Sequence, residues 1–170
     1  MSFRSVQSIQ YDAEAFGIIR NSASSKTPHS WEVMRENVQN YIHGLNFKYR
    51  VNLRKKNVKK GIRSTITSSR FVVAVGGRPT SLDCEGGELA ISSDDIFSLT
   101  DEPGKVLCVG ASYISLECAG FLAGLGRDVT VAVRSILLRG FDRECADKIG
   151  PYMADNGVKY SFDAIFKTTE

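Results

Sequence analysis

The sequence predicts an α/β protein organised around one strand–helix–strand unit. Three observations predict it. The apolar run Val106–Val109 has the composition of a buried strand and leads into a tight turn at Gly110. Small and helix-forming residues follow over 112–125, and a second β-branched run occupies 128–133. A strand, a glycine turn, a helix and a strand within about 30 residues form the unit that binds dinucleotides, because the helix N-terminus attracts a pyrophosphate.

The glycine pattern of this unit is only partly present. Dinucleotide-binding turns carry G-x-G-x-x-G. The corresponding residues here are Gly110, Ala111, Ser112, Tyr113, Ile114 and Ser115. The first glycine serves the tight turn, Ser112 still permits a close backbone approach, and Ser115 is small enough for the helix to pack near the strand. We therefore predict that residues 110–115 bind the pyrophosphate.

Basic residues, rather than an acidic one, follow the second strand. Arg134 and Ser135 come first, then Arg139 and Gly140, with no carboxylate before Asp142. An acidic residue at this place is typical of NAD binding, whereas arginine accommodates the 2′-phosphate of NADP. Guanidinium groups also match phosphate oxygens in geometry. The pattern predicts NADPH as the ligand, and a solvated basic loop is the alternative interpretation.

Four stretches resemble one known family. They are GASYISLECAGFLAGLGRDVTVAVRSILLRGFD at 110–142, SSDDIFSL at 92–99, VGGRP at 75–79 and VQNYIHGLNFKYRV at 38–51. The chain is similar there to the large flavin-dependent thioredoxin reductases and the thioredoxin–glutathione reductases, which are pyridine nucleotide–disulfide oxidoreductases. The resemblance implies a Rossmann-like NADPH-binding domain over 102–170, truncated at its C-terminus. It also implies that 1–101 is an incomplete remnant of a FAD-binding α/β domain, internally shortened as well.

Within the remnant, we predict one long helix and two strands. Ser30 has the character of an N-cap, and apolar residues at helical spacing predict a helix over about 31–44, ending near Gly44. The loose alternation of Phe47–Leu53 suggests a strand. A buried strand is predicted over about 71–75. Residues 92–97 are expected to form a short capped helix.

After the strand–helix–strand unit, we predict a helix and a third parallel strand. Asp142 is the expected N-cap of that helix, and Pro151 should kink or divide it because proline removes a backbone donor. The third strand is predicted over 158–162. The residues of the helix expected to face inward are Ala146, Ile149 and Met153.

The resemblance assigns roles to two residues of the central helix. In the resembled enzymes, the residue matching Tyr113 covers the flavin ring and moves aside for the nicotinamide. The residue matching Glu117 pairs with a lysine of the flavin domain. The residues themselves also allow a tyrosine packed at a domain edge and a glutamate that faces solvent or bonds to backbone. Val75 and Gly76 would lie near FAD, although the family commonly has threonine where Val75 stands.

The four cysteines indicate which parts of the family's chemistry are missing. None of Cys84, Cys108, Cys118 and Cys145 has C-x-x-C or C-x-x-x-x-C spacing, so we read neither a redox pair nor a zinc site, and we predict no metal. Cys108 and Cys118 are expected to act as small apolar residues in a reducing, cytoplasmic compartment. The family transfers hydride from NADPH to FAD, then electrons to a disulfide and to thioredoxin. This chain alone is expected to be inactive and to lack the family's dimer domain.

Composition favours neither nucleic acid nor membrane as a partner. The formal charge of +3 is too small to indicate nucleic-acid binding. The most apolar stretch, 106–126, contains only Glu117 as a charge, but Gly110 interrupts it and a β-branched strand follows it directly.

Two functions of different classes remain open at this stage. One is a part of an NADPH-dependent thioredoxin reductase, and the other is a non-catalytic NADP-binding or interaction module derived from that family. A third possibility is that the chain does not fold stably, because apolar faces such as 71–75 would have no cover.

Overall fold

The centre of the fold is a three-stranded parallel sheet. A computed structural model describes residues 30–58, 61, 63 and 65–162. The sheet has the order β1-β2-β3, and all its pairs are parallel. The described helices and strands are α1 (Trp31–Lys55), β1 (Lys105–Val109), α2 (Tyr113–Gly124), β2 (Asp128–Val133), α3 (Arg143–Asp155) and β3 (Val158–Phe162). This confirms the predicted α/β class and all three strands of this sheet.

The β1-α2-β2 unit brings two strand ends to the same edge of the sheet. Lys105 pairs with Asp128 at one end of the register, and Val109 pairs with Ala132 at the other. Because the strands are parallel, the residues that follow both strands meet beyond their carboxyl ends, where α/β sheets bind ligands. The Gly110 N–H extends the ladder by donating to the Ala132 carbonyl at 3.0 Å.

The core lies where α2 packs on β2. Ala119 and Leu122 of the helix are 0% and 1% exposed, and Val129, Val131 and Val133 of the strand are all 0% exposed. Burying one such aliphatic side chain contributes about 1.5–3 kcal/mol relative to leaving it exposed. One face of the helix is buried against the sheet, whereas Tyr113, Ile114 and Glu117 are exposed. Within the part of the chain that the structure describes, no helix is long and apolar enough to cross a membrane.

Helix α3 begins as predicted but is not divided. The Asp142 carboxylate accepts the Cys145 N–H at 2.9 Å, which confirms the N-cap and holds the pKa of Asp142 below its ordinary value. The expected division of the helix at Pro151 is wrong, since the helix runs on to Asp155, and the alternative, a kink, stays a prediction. Pro151 faces solvent, and the buried residues Ala146 and Met153 hold the turns on both sides of it to the sheet. Ile149, expected to face inward, is 38% exposed.

Helix α1 is longer than the sequence indicated. It begins at Trp31 with Ser30 as N-cap, whose hydroxyl accepts the Val33 N–H at 3.3 Å, but it ends at Lys55 rather than near Gly44. The strand expected over 47–53 is therefore wrong. Phe47, Tyr49 and Leu53 are exposed on this helix, at 65%, 60% and 42%, and a single glycine costs a helix only about 1 kcal/mol.

Two side-chain hydrogen bonds hold the start of α1 against the segment before β1. Trp31 Nε1 donates to the Leu99 carbonyl at 2.9 Å, and Gln39 Nε2 donates to the Phe97 carbonyl at 2.7 Å. The Phe97 ring stacks on Phe121 of α2 at 6.0 Å. The capped helix predicted over 92–97 is a short 3₁₀ turn, Ile96–Ser98, preceded by an Asp95 carboxylate that accepts the Ser92 N–H at 2.8 Å.

The buried strand expected at about 71–75 is not present. Residues 65–82 form neither helix nor strand, and Val72, Val73 and Val75 are 92%, 81% and 87% exposed. An apolar β-branched run forms a strand only when a neighbouring strand supplies hydrogen bonds and a layer covers it. Within the described residues, the only sheet is the one formed by β1, β2 and β3.

Candidate nucleotide-binding site

The turn after β1 depends on glycine. Gly110 has φ of +101°, in the region that residues with a Cβ rarely adopt. Its N–H is bound to Ala132 of the neighbouring strand, and its carbonyl accepts the Ser115 hydroxyl at 2.7 Å. The chain is thereby directed from the strand into α2. Ser115 occupies the position of the last glycine in the G-x-G-x-x-G pattern. It is small, and its hydroxyl also links α2 to the turn through the hydrogen bond to Gly110.

The first turn of α2 presents backbone donors to solvent. The leading N–H groups of an α-helix have no carbonyl partner within the helix. Among the described residues, no side chain caps them, since Ser112 at the N-cap makes no side-chain capping hydrogen bond. Ser112, Tyr113 and Ile114 are all exposed. These groups and the positive end of the helix dipole can bind an anion.

The loop after β2 folds back onto the glycine turn. The Leu138 N–H donates to the Ala111 carbonyl at 2.8 Å, and its side chain is only 6% exposed. Leu138 has φ of +50°, and Phe141 N–H donates to its carbonyl at 3.0 Å. These hydrogen bonds and the buried Leu138 side chain therefore hold the loop after β2 against the glycine turn.

This loop places polar groups beside the turn. Arg139 Nη2 donates to the Ser135 hydroxyl oxygen at 2.6 Å, and both side chains are exposed, as is that of Arg134. Gly140, with φ of +89°, turns the chain away after Arg139. Two guanidinium groups and a hydroxyl on one exposed loop are a donor set that suits a phosphate dianion. The residues present therefore fit the 2′-phosphate of NADP(H).

The two residues assigned to flavin gating lie at the start of α2 and are exposed. The Tyr113 ring is 51% exposed and meets the Phe141 ring edge-on, with 6.1 Å between centroids. Glu117 is exposed as well, so its carboxylate carries no cost of burial here. The Tyr113 ring thus contacts Phe141, which lies at the end of the loop after β2, whereas Glu117 faces outward.

Comparison with known proteins shows the family of the chain. The family model for pyridine nucleotide-disulphide oxidoreductases matches residues 7–170. The chain belongs to this family. It is 44% identical to thioredoxin reductase SEP1 of Emiliania huxleyi over 174 residues, covering 91% of this chain and 34% of that protein. It is 47% identical to a thioredoxin reductase of Plasmodium falciparum (isolate FCH-5) over 155 residues, covering 78% of this chain and 29% of that protein. The chain thus spans about a third of the length of the curated relatives it matches.

Family membership does not test the flavin-side residues of this chain. Val75 and Gly76 lie in the segment that forms neither helix nor strand, and Val75 is 87% exposed. Their position near a flavin stays a prediction. Within the described residues there is also no group of three or more histidine, cysteine, aspartate or glutamate side chains that could hold a metal ion.

The cysteines of this pyridine nucleotide-disulphide oxidoreductase differ in environment. Burial, with a smaller contribution from the nearby Cys118, raises the pKa of Cys108 from its ordinary 9.0 to about 11. Burial also raises the pKa of Cys118, whereas Cys145 is exposed. The thiolate is the reactive form of cysteine. Cys108 is thus a poor nucleophile.

We expect iodoacetamide at neutral pH to modify Cys145 of the folded chain well before Cys108, because Cys108 is less accessible and ionises less. Peptide mass spectrometry of timed samples measures the order, and labelling in urea should remove the difference. Labelling of Cys108 before Cys145 would contradict this assignment.

The raised pKa of Cys108 also makes the stability of the fold depend on pH. Between about pH 9 and about pH 11, the folded chain retains the Cys108 proton that the unfolded chain loses. The stability contributed by Cys108 therefore falls as pH rises through this range.

Sequence reasoning missed three residues that shape the site. Leu138 binds the glycine turn, Phe141 contacts Tyr113, and Arg143 donates to the Leu137 carbonyl at 2.8 Å. One signal was available: three apolar residues, 136–138, stand between the two arginines, which is unusual for a solvated loop. Arg143 carried no such signal.

Proposed function

We propose that this chain binds NADPH at the carboxyl edge of β1 and β2. The observation that carries the proposal is the Arg139–Ser135 pair, fixed beside the glycine turn by the Leu138–Ala111 hydrogen bond. In this proposal the pyrophosphate lies on the first turn of α2, at residues 110–115. Arg134, Ser135 and Arg139 bind the 2′-phosphate, and Gly140 lets the loop turn beside it.

Discrimination between NADPH and NADH follows from the charges of the loop. NADH lacks the 2′-phosphate, so the exposed guanidinium groups of Arg134 and Arg139 would gain no anionic partner from it. NADPH supplies a dianion that both groups can bind, with bidentate contacts open to each. No acidic residue follows β2 before Asp142 to receive the ribose hydroxyl of NADH.

We further propose that the chain is the nucleotide-binding part of an NADPH-dependent thioredoxin reductase. Two relatives, each 44% or more identical, carry the name thioredoxin reductase. When bound, NADPH supplies a hydride to FAD, and the reducing equivalents pass to a disulfide and to thioredoxin. Tyr113 would cover the flavin ring and move aside for the nicotinamide, while Glu117 is exposed and able to pair with a lysine of a flavin domain. Residues 1–101 correspond to part of that flavin domain and 102–170 to the NADPH domain.

A non-catalytic NADP-binding module is the second candidate. It is favoured by the cysteine spacings, since none of the four cysteines has the spacing of a redox pair. In that case the chain binds the nucleotide without passing its electrons to a disulfide. Thioredoxin as a partner, assembly into a homodimer and a cytoplasmic location apply to the reductase and stay predictions.

Purification of the chain tests whether the chain alone binds NADPH and whether it alone is catalytic. The purified protein is examined for the yellow absorbance of flavin and assayed for NADPH-dependent reduction of a disulfide, with and without added FAD and thioredoxin. We expect colourless protein that binds NADPH and does not turn over. Bound flavin together with turnover would contradict the module and show that the chain is itself a reductase.

A further inference from the structure

The first turn of α3 reaches back to the loop that carries the phosphate-binding groups. Arg143 Nη1 donates to the Leu137 carbonyl at 2.8 Å, and Nη2 of the same guanidinium donates to Asp147 Oδ1 at 2.9 Å. Asp147 lies one helical turn further on, so the carboxylate holds the guanidinium in place. Neither residue belongs to the glycine turn or to the segment 134–140.

Leu137 and Leu138 are anchored in opposite directions. The Leu137 carbonyl is bound by Arg143 of α3, while the N–H of the next residue is bound by Ala111 of the glycine turn. The Leu137 side chain also approaches α3 where Gly150 leaves space, since a Cβ there would lie 2.7 Å from Leu137 Cδ1. Helix α3 and the glycine turn therefore both bind the backbone between Ser135 and Arg139, one at Leu137 and the other at Leu138.

We propose that Arg143, held by Asp147, is a positioning residue for the 2′-phosphate site. Ser135 stands two residues before Leu137, and Arg139 stands two residues after it, so their 2.6 Å contact depends on the path of the backbone between them. Arg143 selects that path without touching the ligand. The inference rests on the proposed NADPH binding and adds a determinant of coenzyme preference outside the binding loop.

A simple effect of charge makes a different prediction from positioning. If Arg143 acted only as a distant positive charge, removing the negative charge of Asp147 would strengthen the binding of NADPH. If Asp147 holds Arg143 in place, its removal weakens the binding of NADPH despite the more favourable charge. The sign of the effect of Asp147→Asn therefore distinguishes the two explanations.

The test compares four forms of the full chain: wild type, Arg143→Gln, Asp147→Asn and Lys148→Gln. Lys148 provides the control because it lies on the same helix and pairs with Glu144 at 2.6 Å, with exposed side chains, away from the loop. Calorimetric titration gives the dissociation constants of NADPH and NADH for each form at one ionic strength. Circular dichroism verifies that each variant is folded.

We expect Arg143→Gln to raise the dissociation constant of NADPH about tenfold and Asp147→Asn to raise it about fivefold, the range of one lost hydrogen bond. The dissociation constant of NADH should stay within about twofold in both, and Lys148→Gln should leave both constants within that range. A gain in NADPH affinity for Asp147→Asn, an equal loss for NADPH and NADH, or no change in either variant would overturn the inference. Absence of NADPH binding by the wild type would instead contradict the proposed function.

Discussion

Replacing Arg134 and Arg139 together by alanine is expected to weaken NADPH binding at least roughly 100-fold, since two charged hydrogen bonds at about 1.5 kcal/mol or more each are lost. Both guanidinium groups are exposed on the loop after β2, and Arg139 is already oriented by Ser135. The binding of NADH should change by no more than about twofold, because it has no 2′-phosphate to lose. Titration of both coenzymes at one ionic strength measures the difference.

The matched control removes the same charge elsewhere. Arg70 and Arg78 lie in the exposed segment 65–82, and Arg78 makes only a 3.6 Å ion pair with Asp94. Their double replacement by alanine is expected to leave the preference for NADPH intact. If this control variant lost NADPH binding as strongly as the Arg134 and Arg139 variant, the effect would be one of net charge, and the assignment of the loop would be wrong.

Leu122→Ala is expected to lower the free energy of unfolding by about 2–5 kcal/mol, the usual range for deleting a buried leucine side chain. Leu122 is 1% exposed in α2, where it packs over β2. A loss of this size is a large part of the 5–15 kcal/mol typical of a folded domain. Urea denaturation followed by circular dichroism gives the change in midpoint and slope.

Leu107 supplies the control for this measurement. It is a leucine of β1 but is 57% exposed, so Leu107→Ala is expected to change the free energy of unfolding by no more than about 0.5 kcal/mol. A similar loss in the two variants would mean that α2 does not cover the sheet as described. Failure of the wild type to unfold cooperatively would support the third possibility, that the chain does not fold stably.

The parts of the fold that follow from local pattern were predictable. The strand–turn–helix–strand order, the positions of β2 and β3 and the Asp142 cap all follow from runs of a few residues. The end of α1 and the lack of a strand over 71–75 could not be predicted from the local sequence. Each depends on whether another segment is present to pair with these residues or to cover them. Pro151 illustrates the same limit, since packing on both sides of it maintains a helix that local geometry disfavours.

The site divides in the same way. Gly110 and the two arginines were identified because turn geometry and phosphate chemistry each require a particular type of residue. The Leu138–Ala111 and Arg143–Leu137 hydrogen bonds join residues from different elements through backbone carbonyls, which any residue possesses. Nothing in the residue types therefore marks them. Only the folded arrangement shows that the loop is held at two points.

The measurement that most directly tests the central claim is a calorimetric titration of the wild-type chain with NADPH and NADH in parallel. The account predicts saturable one-to-one binding of NADPH, with an affinity at least about tenfold higher than that for NADH, the difference expected from one charged hydrogen bond. Equal binding of the two coenzymes would contradict the assignment of Arg134, Ser135 and Arg139 to the 2′-phosphate. No binding of either would contradict the nucleotide site as a whole.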